Sequence, residues 1–246
     1  MQLTEKEIRQ ILIEEKRRKK QKQRHRRRII TFLSIIFCLF LCVGLYKNRD
    51  VLKAPLLDRG IIYINPGHGG EDPGSEIKSR KEKDDTLRLS LQIKKELNTK
   101  GFKVFMSRDH DVSVNKKALG KNANSKNADL MVSIHRNKAE DTSARGIEIW
   151  IPSDDDEISH YMGKTILHNL KKIGFEDRGV RPGTLVDPKD NYYDNEAENI
   201  PSCLIEVGFI SNKKDNILFD KHLKENAKAI ADGIEKTYEE YFESES

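Results

Sequence analysis

The sequence predicts an α/β domain, in which helices cover both faces of a twisted, mixed and mostly parallel sheet. Short apolar runs have the length and composition of buried strands, and runs with helical periodicity alternate with them along the chain. The domain spans roughly 190 residues, an ordinary size for a single domain. The sequence contains no internal repeat and no low-complexity linker that would divide it.

The first part of the domain alternates strand and helix. A strand at residues 61–65 leads into a loop rich in glycine and proline. A helix at residues 84–99 follows, because apolar side chains recur every four positions and Gly101 can end the helix as a C-cap. The apolar stripe consists of Leu89, Ile93 and Leu97. The next predicted elements are a strand at residues 103–107, a helix at 115–127 and a strand at 130–135.

The second part of the domain follows the same pattern less regularly. A strand at residues 146–151 precedes a helix at 158–173, which Gly174 closes. The stretch that follows this helix has no clear periodicity. A buried strand at residues 202–207 and a long amphipathic helix at 221–241 complete the predicted domain.

We predict that the N-terminal part of the chain is separate from the folded domain. Residues 1–28 form a basic segment, and ten of the side chains in residues 16–28 are Lys or Arg. Residues 29–46 carry no charge and would span about 27 Å as a helix, close to the hydrocarbon thickness of a bilayer. We predict a transmembrane helix here, then a linker at residues 47–60 and the folded domain at residues 61–242. A cleaved signal peptide is the alternative, but its apolar core is shorter, about 7–15 residues.

Charge predicts which side of the membrane the domain occupies. Residues 1–46 hold 12 basic and 4 acidic side chains, whereas the rest of the chain holds 33 basic and 36 acidic ones. A basic cluster beside a span favours the cytoplasm, so we expect a single-pass membrane protein with its domain on the outer side of the cell membrane. The domain itself is slightly acidic, which argues against nucleic acid as a partner.

Four polar residues stand at the ends of predicted elements. His68, His135 and Glu206 lie at or just past the ends of apolar strands, and Glu82 opens a helix. In α/β sheets the functional residues collect beyond the carboxyl ends of the strands. Two histidines and a carboxylate are the ligands of a catalytic zinc site, which leaves one position free for water. A further carboxylate could take that water's proton, so the pattern predicts a zinc hydrolase.

Each of these residues also has a structural interpretation when it is taken alone. Either histidine could satisfy a neighbouring polar group, and Glu82 could stabilise a solvated helix start through the helix dipole. Glu206 is harder to explain in this way, since a carboxylate buried in an apolar strand is costly unless it is paired or near a metal. The glycine-rich loop does not match a dinucleotide-binding loop, because Asp72 stands where the third glycine should be.

Four segments together resemble the zinc-dependent N-acetylmuramoyl-L-alanine amidases. They are residues 62–74 (IYINPGHGGEDPG), 82–84 (EKD), 128–135 (ADLMVSIH) and 200–212 (IPSCLIEVGFISN). The segments occur in the family's order and spacing. The resemblance implies that His68, Glu82 and His135 bind Zn²⁺ and that Glu206 is the catalytic general acid/base.

The resemblance also implies the reaction. Zinc lowers the pKa of its water toward about 7 and polarises the scissile carbonyl. Glu206 would take a proton from the water and return it to the leaving amine of L-alanine. The expected substrate is peptidoglycan, cut at the amide between the lactyl group of N-acetylmuramic acid and the first residue of the stem peptide.

The chain departs from the usual family pattern in three places. Arg136 stands where the family usually has alanine, and Lys138 follows; these charges either line the cleft or are solvated. Residues 116–126 contain lysines where the family often has an arginine. Residues 187–198 are unusually acidic, which concerns substrate preference more than chemistry. Within residues 189–199 we look for a segment that could cover the cleft.

Three further expectations concern setting and rival functions. Members of this family with a membrane anchor and a single catalytic domain include cortex-modifying amidases of spore-formers. The resemblance therefore implies cell-wall or spore-cortex remodelling. Activator proteins control some members, and no feature of the sequence identifies one here. The alternatives are a catalytically weak domain that binds peptidoglycan or a partner protein, and a zinc peptidase that acts within the stem peptide.

Overall fold

The structure is a computed structural model that describes residues 59–243. The predicted basic segment, the transmembrane helix and most of the predicted linker lie outside these residues, so they stay predictions. Within residues 59–243, no helix has both the length and the apolarity needed to cross a membrane.

The described chain forms eight strands and five α-helices, which are interspersed along its length. The strands are β1 (Ile61–Pro66), β2 (Glu76–Ile77), β3 (Arg80–Lys81), β4 (Lys103–Met106), β5 (Leu130–Asn137), β6 (Ile147–Ile151), β7 (Asp177–Pro182) and β8 (Ser202–Phe209). The α-helices are α1 (Glu82–Thr99), α2 (Leu119–Ser125), α3 (Glu157–Lys171), α4 (Lys213–Lys221) and α5 (Leu223–Tyr238). Short 3₁₀ turns lie at Lys116–Ala118 and Tyr193–Asn195, and a π-helical turn lies at Glu239–Glu243.

Six of the strands form one mixed sheet in the order β4-β1-β5-β8-β6-β7. The first four are parallel to one another, β6 runs antiparallel to β8, and β7 is parallel to β6. The predicted α/β fold with a mixed, mostly parallel sheet is therefore confirmed. The small strands β2 and β3 pair separately and lead into α1.

Helices cover the two faces of the sheet unequally. Ile62 and Ile64 of β1 point into a large apolar core under α1, α3 and α5. Tyr63 points the other way and joins a smaller core with Leu119 and Ala123 of α2. The alternation of these side chains along β1 follows from the two-residue period of a strand. The thinly covered face is the one that carries His135 and Glu206.

Two elements differ from the sequence prediction. The unpatterned stretch contains β7, an edge strand whose sequence, DRGVRP, is polar and half exposed. The helix predicted at residues 221–241 is confirmed as α5, which begins two residues later, at Leu223. The prediction missed α4, which a break at His222 separates from α5. The side chain of Asn212 caps α4 by accepting hydrogen bonds from the backbone N–H groups of Lys214 and Asp215.

Candidate metal centre and active site

The topology brings the four predicted site residues together in one open cleft. Strand β5 lies between β1 and β8, so the carboxyl ends of all three strands meet at one edge of the sheet. His68 follows β1, His135 and Glu206 face each other in register on β5 and β8, and Glu82 is the first residue of α1. All four line a cleft of about 580 Å³.

His68, Glu82 and His135 converge on a point suited to a metal ion. His68 Nε2 lies 3.2 Å from Glu82 Oε1, and His135 Nδ1 lies 3.0 Å from the same oxygen. One potential ligand atom from each residue lies within 4.8 Å of the others. Tetrahedral zinc bound at 2.0–2.1 Å separates its ligands by about 3.3 Å. The donor set and its spacing therefore fit zinc.

Two glycines make this convergence possible. A Cβ on Gly67 would lie 2.3 Å from the His135 ring. A Cβ on Gly74 would lie 2.6 Å from His68 and 2.7 Å from Glu82, and Gly74 also has a φ of +67°. Only glycine tolerates both the contact and the backbone conformation. The glycine-rich loop therefore leaves the space into which the side chains of His68, Glu82 and His135 pack.

A buried arginine that sequence analysis missed fastens this loop. Arg108 follows β4 and donates hydrogen bonds to the carbonyl oxygens of Pro66, Gly67 and Lys83, at 3.0, 3.0 and 2.8 Å. It thereby ties the chain before His68 to the first turn of α1, which carries Glu82. No local pattern marks Arg108, because its partners come from two other elements.

Each histidine of the group is backed by a carboxylate at its second ring nitrogen. His68 Nδ1 lies 3.0 Å from Asp72 Oδ2, and His135 Nε2 lies 3.2 Å from Asp194 Oδ1. Histidines that bind metals commonly use their other ring nitrogen in this way, which sets the tautomer and the ring orientation. Asp72 lies within the recognised motif, whereas the role of Asp194 was not predicted.

The charges of His135 and Glu82 shift each other's pKa in opposite directions. Burial lowers the pKa of His135, but Asp194 and Glu82 raise it by more, so the net pKa is well above its ordinary value. Burial raises the pKa of Glu82, but hydrogen bonds to His135 and His68 lower it by more. The centre therefore holds a carboxylate that is ionised, as a metal ligand must be.

Glu206 has a different environment from His68, Glu82 and His135. Its Oε2 atom is buried and finds no hydrogen-bond partner among the described residues. Burial raises the pKa of Glu206 to about 8; the positive charge of His135 opposes this, and Glu82, Glu148 and Asp194 add to it. An unpaired buried carboxyl beside a cluster of metal-ligand type is suited to carry a proton near neutral pH.

Arg136 borders the cleft, but its side chain neither projects into the cleft nor is solvated. Its side chain is fully buried, donates to Asp85 at 2.6 Å and to Asn216 at 2.7 Å, and stacks 4.2 Å from the ring centre of Phe219. Burial lowers its pKa to about 10. Arg136 is thus part of the core, and its backbone N–H donates to Glu82 Oε1 at 3.0 Å. Lys138, by contrast, is exposed and lines the cleft.

We expect Arg136→Leu to lower the free energy of unfolding by about 3 kcal/mol, because Asp85 loses a buried partner. Arg80 still pairs with Asp85 at 2.7 Å, which keeps the loss at the lower end for a broken buried ion pair. Urea unfolding measures the difference. Lys138→Leu is the control, since an exposed site two residues away should change stability by less than about 0.5 kcal/mol. A loss below that value in Arg136→Leu would contradict the structural role.

The acidic segment does not carry an inserted helix over the cleft. Residues 189–199 contain a single 3₁₀ turn, Tyr193–Asn195, and none of these residues lines the cleft around Glu206. They pack instead on α2: Gly120 leaves room for the backbone of Glu196, and Asn124 donates to the carbonyl oxygen of Glu198 at 2.8 Å.

Comparisons with known proteins identify the family of this chain. The family described as N-acetylmuramoyl-L-alanine amidase matches residues 62–236. Uncharacterized protein YqiI of Bacillus subtilis is 32% identical over 185 residues, which cover 73% of this chain and 85% of YqiI. The probable cell wall amidase LytH of Staphylococcus epidermidis is 29% identical over 199 residues, which cover 78% of this chain and 62% of LytH. The chain thus matches less than two thirds of the length of LytH.

A solved structure extends the agreement to the fold. The CwlD amidase of Clostridioides difficile, in complex with the GerS lipoprotein, matches with a TM-score of 0.63 and 32% sequence identity. The match covers 72% of this chain and 98% of the CwlD chain. The family match includes all four residues of the cleft, and the sheet that positions them is shared. The chain therefore belongs to the N-acetylmuramoyl-L-alanine amidase family, as its motifs predict, and is an enzyme of that family.

Proposed function

We propose that this protein is a zinc-dependent amidase of peptidoglycan that cuts the amide between N-acetylmuramic acid and the L-alanine of the stem peptide. The observation that carries the proposal is the convergence of His68, Glu82 and His135 beside the unpaired carboxyl of Glu206. The family match supports the choice of bond. The resulting cleft, about 580 Å³ in volume, is open enough for a polymeric substrate to enter.

His68 Nε2, Glu82 Oε1 and His135 Nδ1 would hold the ion. Two imidazoles and one carboxylate favour zinc over magnesium or calcium, which prefer oxygen ligands alone. Bound zinc supplies Lewis acidity, which polarises the scissile carbonyl and makes water more acidic. The protein's contribution is to hold the three donor atoms in place, through the two glycines and Arg108.

Glu206 carries the proton through the reaction. It accepts a proton from the attacking water, whose oxygen forms a bond to the carbonyl carbon of the lactyl group. It then donates this proton to the alanine nitrogen as the carbon–nitrogen bond breaks. The products are a lactyl carboxylic acid on the glycan and a stem peptide with a free L-alanine amine. A single carboxyl group that reaches the cleft can make both transfers, first as a base and then as an acid.

The setting that we propose is the outer face of the bacterial cell membrane. The basic segment at residues 1–28 and the apolar segment at residues 29–46 support a single-pass anchor whose positive end stays in the cytoplasm. The similarity to CwlD, which was solved in complex with the GerS lipoprotein, supports a lipoprotein partner. The spore-cortex role that we propose rests on the sequence plan of an anchor followed by one catalytic domain.

Mass spectrometry of digested peptidoglycan tests the reaction. The purified full chain, loaded with zinc, should release stem peptides with an L-alanine amino terminus and leave glycan strands with unsubstituted muramic acid. A zinc peptidase would leave L-alanine on the muramic acid, and a binding module would leave the polymer intact. Either result from an enzyme with confirmed zinc content would refute the proposed reaction.

A further inference from the structure

We propose that Asp194 is a positioning residue for the metal centre, which orients His135 and thereby links metal affinity to the acidic segment at residues 187–198. This inference rests on the zinc site of the proposed function. It concerns a residue outside the four matching segments, in a stretch for which the sequence predicted an effect on substrate preference instead.

The contacts of the His135 ring carry the first step. Its Nδ1 faces Glu82 Oε1 at 3.0 Å, and its Nε2 faces Asp194 Oδ1 at 3.2 Å. A neutral imidazole has one N–H and one lone pair. With the N–H at Nε2 donated to Asp194, the lone pair at Nδ1 points toward Glu82, where a metal would lie. Asp194 therefore selects the tautomer that can bind metal.

Asp194 is itself held rigidly. It is only 7% exposed, and Asn65 at the end of β1 donates to the same oxygen at 2.8 Å. Ser107 then donates to Asn65 Oδ1 at 2.5 Å. A buried carboxylate is costly unless its oxygens are satisfied. This chain of contacts, from Ser107 through Asn65 and Asp194 to His135, satisfies it and fixes its direction.

The turn that carries Asp194 is fastened to the sheet by the next residue. Asn195 donates to the carbonyl oxygen of Trp150 at 3.1 Å and accepts from the hydroxyl of Ser202 at 3.1 Å. The two partners lie on the neighbouring strands β6 and β8. The acidic segment thus contacts the metal centre through one 3₁₀ turn. The hydrogen bonds of this turn to the sheet fix the position of Asp194 beside His135.

Asp194 acts through His135 and not on the substrate. It lines a small cavity of about 70 Å³, whereas Glu206 lines the open cleft; His68 and His135 line both. The two ring nitrogens of an imidazole point in different directions, so a carboxylate at Nε2 does not ligate an ion held at Nδ1. These features assign Asp194 a supporting role behind the ligand.

Zinc affinity of the full chain, measured by competition with a chelator, tests the proposal. We expect Asp194→Ala to bind zinc about 10–100-fold more weakly than the wild type, the usual loss when the partner of a ligating histidine is removed. Asp194→Asn keeps an acceptor oxygen without the charge and should lose at least about threefold. Glu198→Gln removes the same charge from an exposed position on the same segment, and should stay within about twofold.

A spectroscopic readout separates positioning from a general structural role. The visible absorption bands of the cobalt-loaded protein should shift in Asp194→Ala and stay unchanged in Glu198→Gln, because they report the geometry of the ligands. Circular dichroism identifies variants that fold. A folded Asp194→Ala with unchanged bands and wild-type zinc affinity overturns the proposal, and Asp194→Asn decides in the same way if the alanine variant does not fold. A wild-type protein that binds no zinc instead overturns the metal site itself.

Discussion

Glu206→Gln is expected to lose at least about 10³-fold in turnover of peptidoglycan while it binds zinc as the wild type does. Glutamine has nearly the same shape as glutamate but cannot accept a proton from water or return one to the leaving amine. The side chain is half-buried in β8, and its buried Oε2 atom has no hydrogen-bond partner among residues 59–243. The substitution therefore breaks no observed hydrogen bond of that atom, and the fold should survive.

Release of new amino termini from purified peptidoglycan measures the rate, and elemental analysis measures the bound zinc. Glu198→Gln is the matched control, because it makes the same chemical change at an exposed site that is not part of the cleft. If Glu206→Gln kept a tenth or more of the wild-type rate, the general acid/base would have to be another residue. If it lost both rate and zinc, Glu206 would belong to the metal ligands.

His135→Ala is expected to lose zinc as well as activity. It removes one of three protein donors, which we expect to weaken binding by on the order of 10²–10³-fold, since a zinc site of four ligands contributes about 10–16 kcal/mol in total. It also leaves Glu82 and Asp194 as buried carboxylates without the imidazole between them. The metal-free variant should therefore be less stable than the metal-free wild type.

Chelator competition and thermal unfolding measure these two effects. His110→Ala is the control, because His110 is exposed, pairs only locally with Asp109 and lies outside the cleft. Full zinc occupancy in His135→Ala at limiting zinc would contradict the assignment of His135 as a ligand. Together with Glu206→Gln, the variant separates the residues that hold the ion from the residue that moves the proton.

The predicted elements succeed or fail according to how local their signals are. Strands β1, β5 and β8 are apolar runs, and α1 has a regular apolar stripe, so the periodicity predicts them. Strand β7 has no such signal, because an edge strand with one neighbour has little apolar surface to bury. It becomes a strand through its pairing with β6.

Helix α4 is a second element that the prediction missed. The predicted helix at residues 221–241 corresponds to α5 alone. His222 leaves the helical conformation, with φ −116° and ψ 33°, and lets both helices pack separately. Asn212 caps the start of α4, but this nine-residue helix buries only Asp215 and Phe219, so it has no apolar stripe from which periodicity could predict it.

By itself, the sequence determined the family, the strands that present the site, and the four residues that meet in the cleft, since short motifs carry each of these. Only the tertiary structure decided the roles of Arg136 and Asp194. Arg136 meets Asp85 across 51 positions of the chain, and Asp194 meets His135 across 59. A charged residue gives the same local pattern whether it is solvated or buried. The free energy of burying that charge depends on partners that only the folded sheet and helices bring within hydrogen-bonding distance.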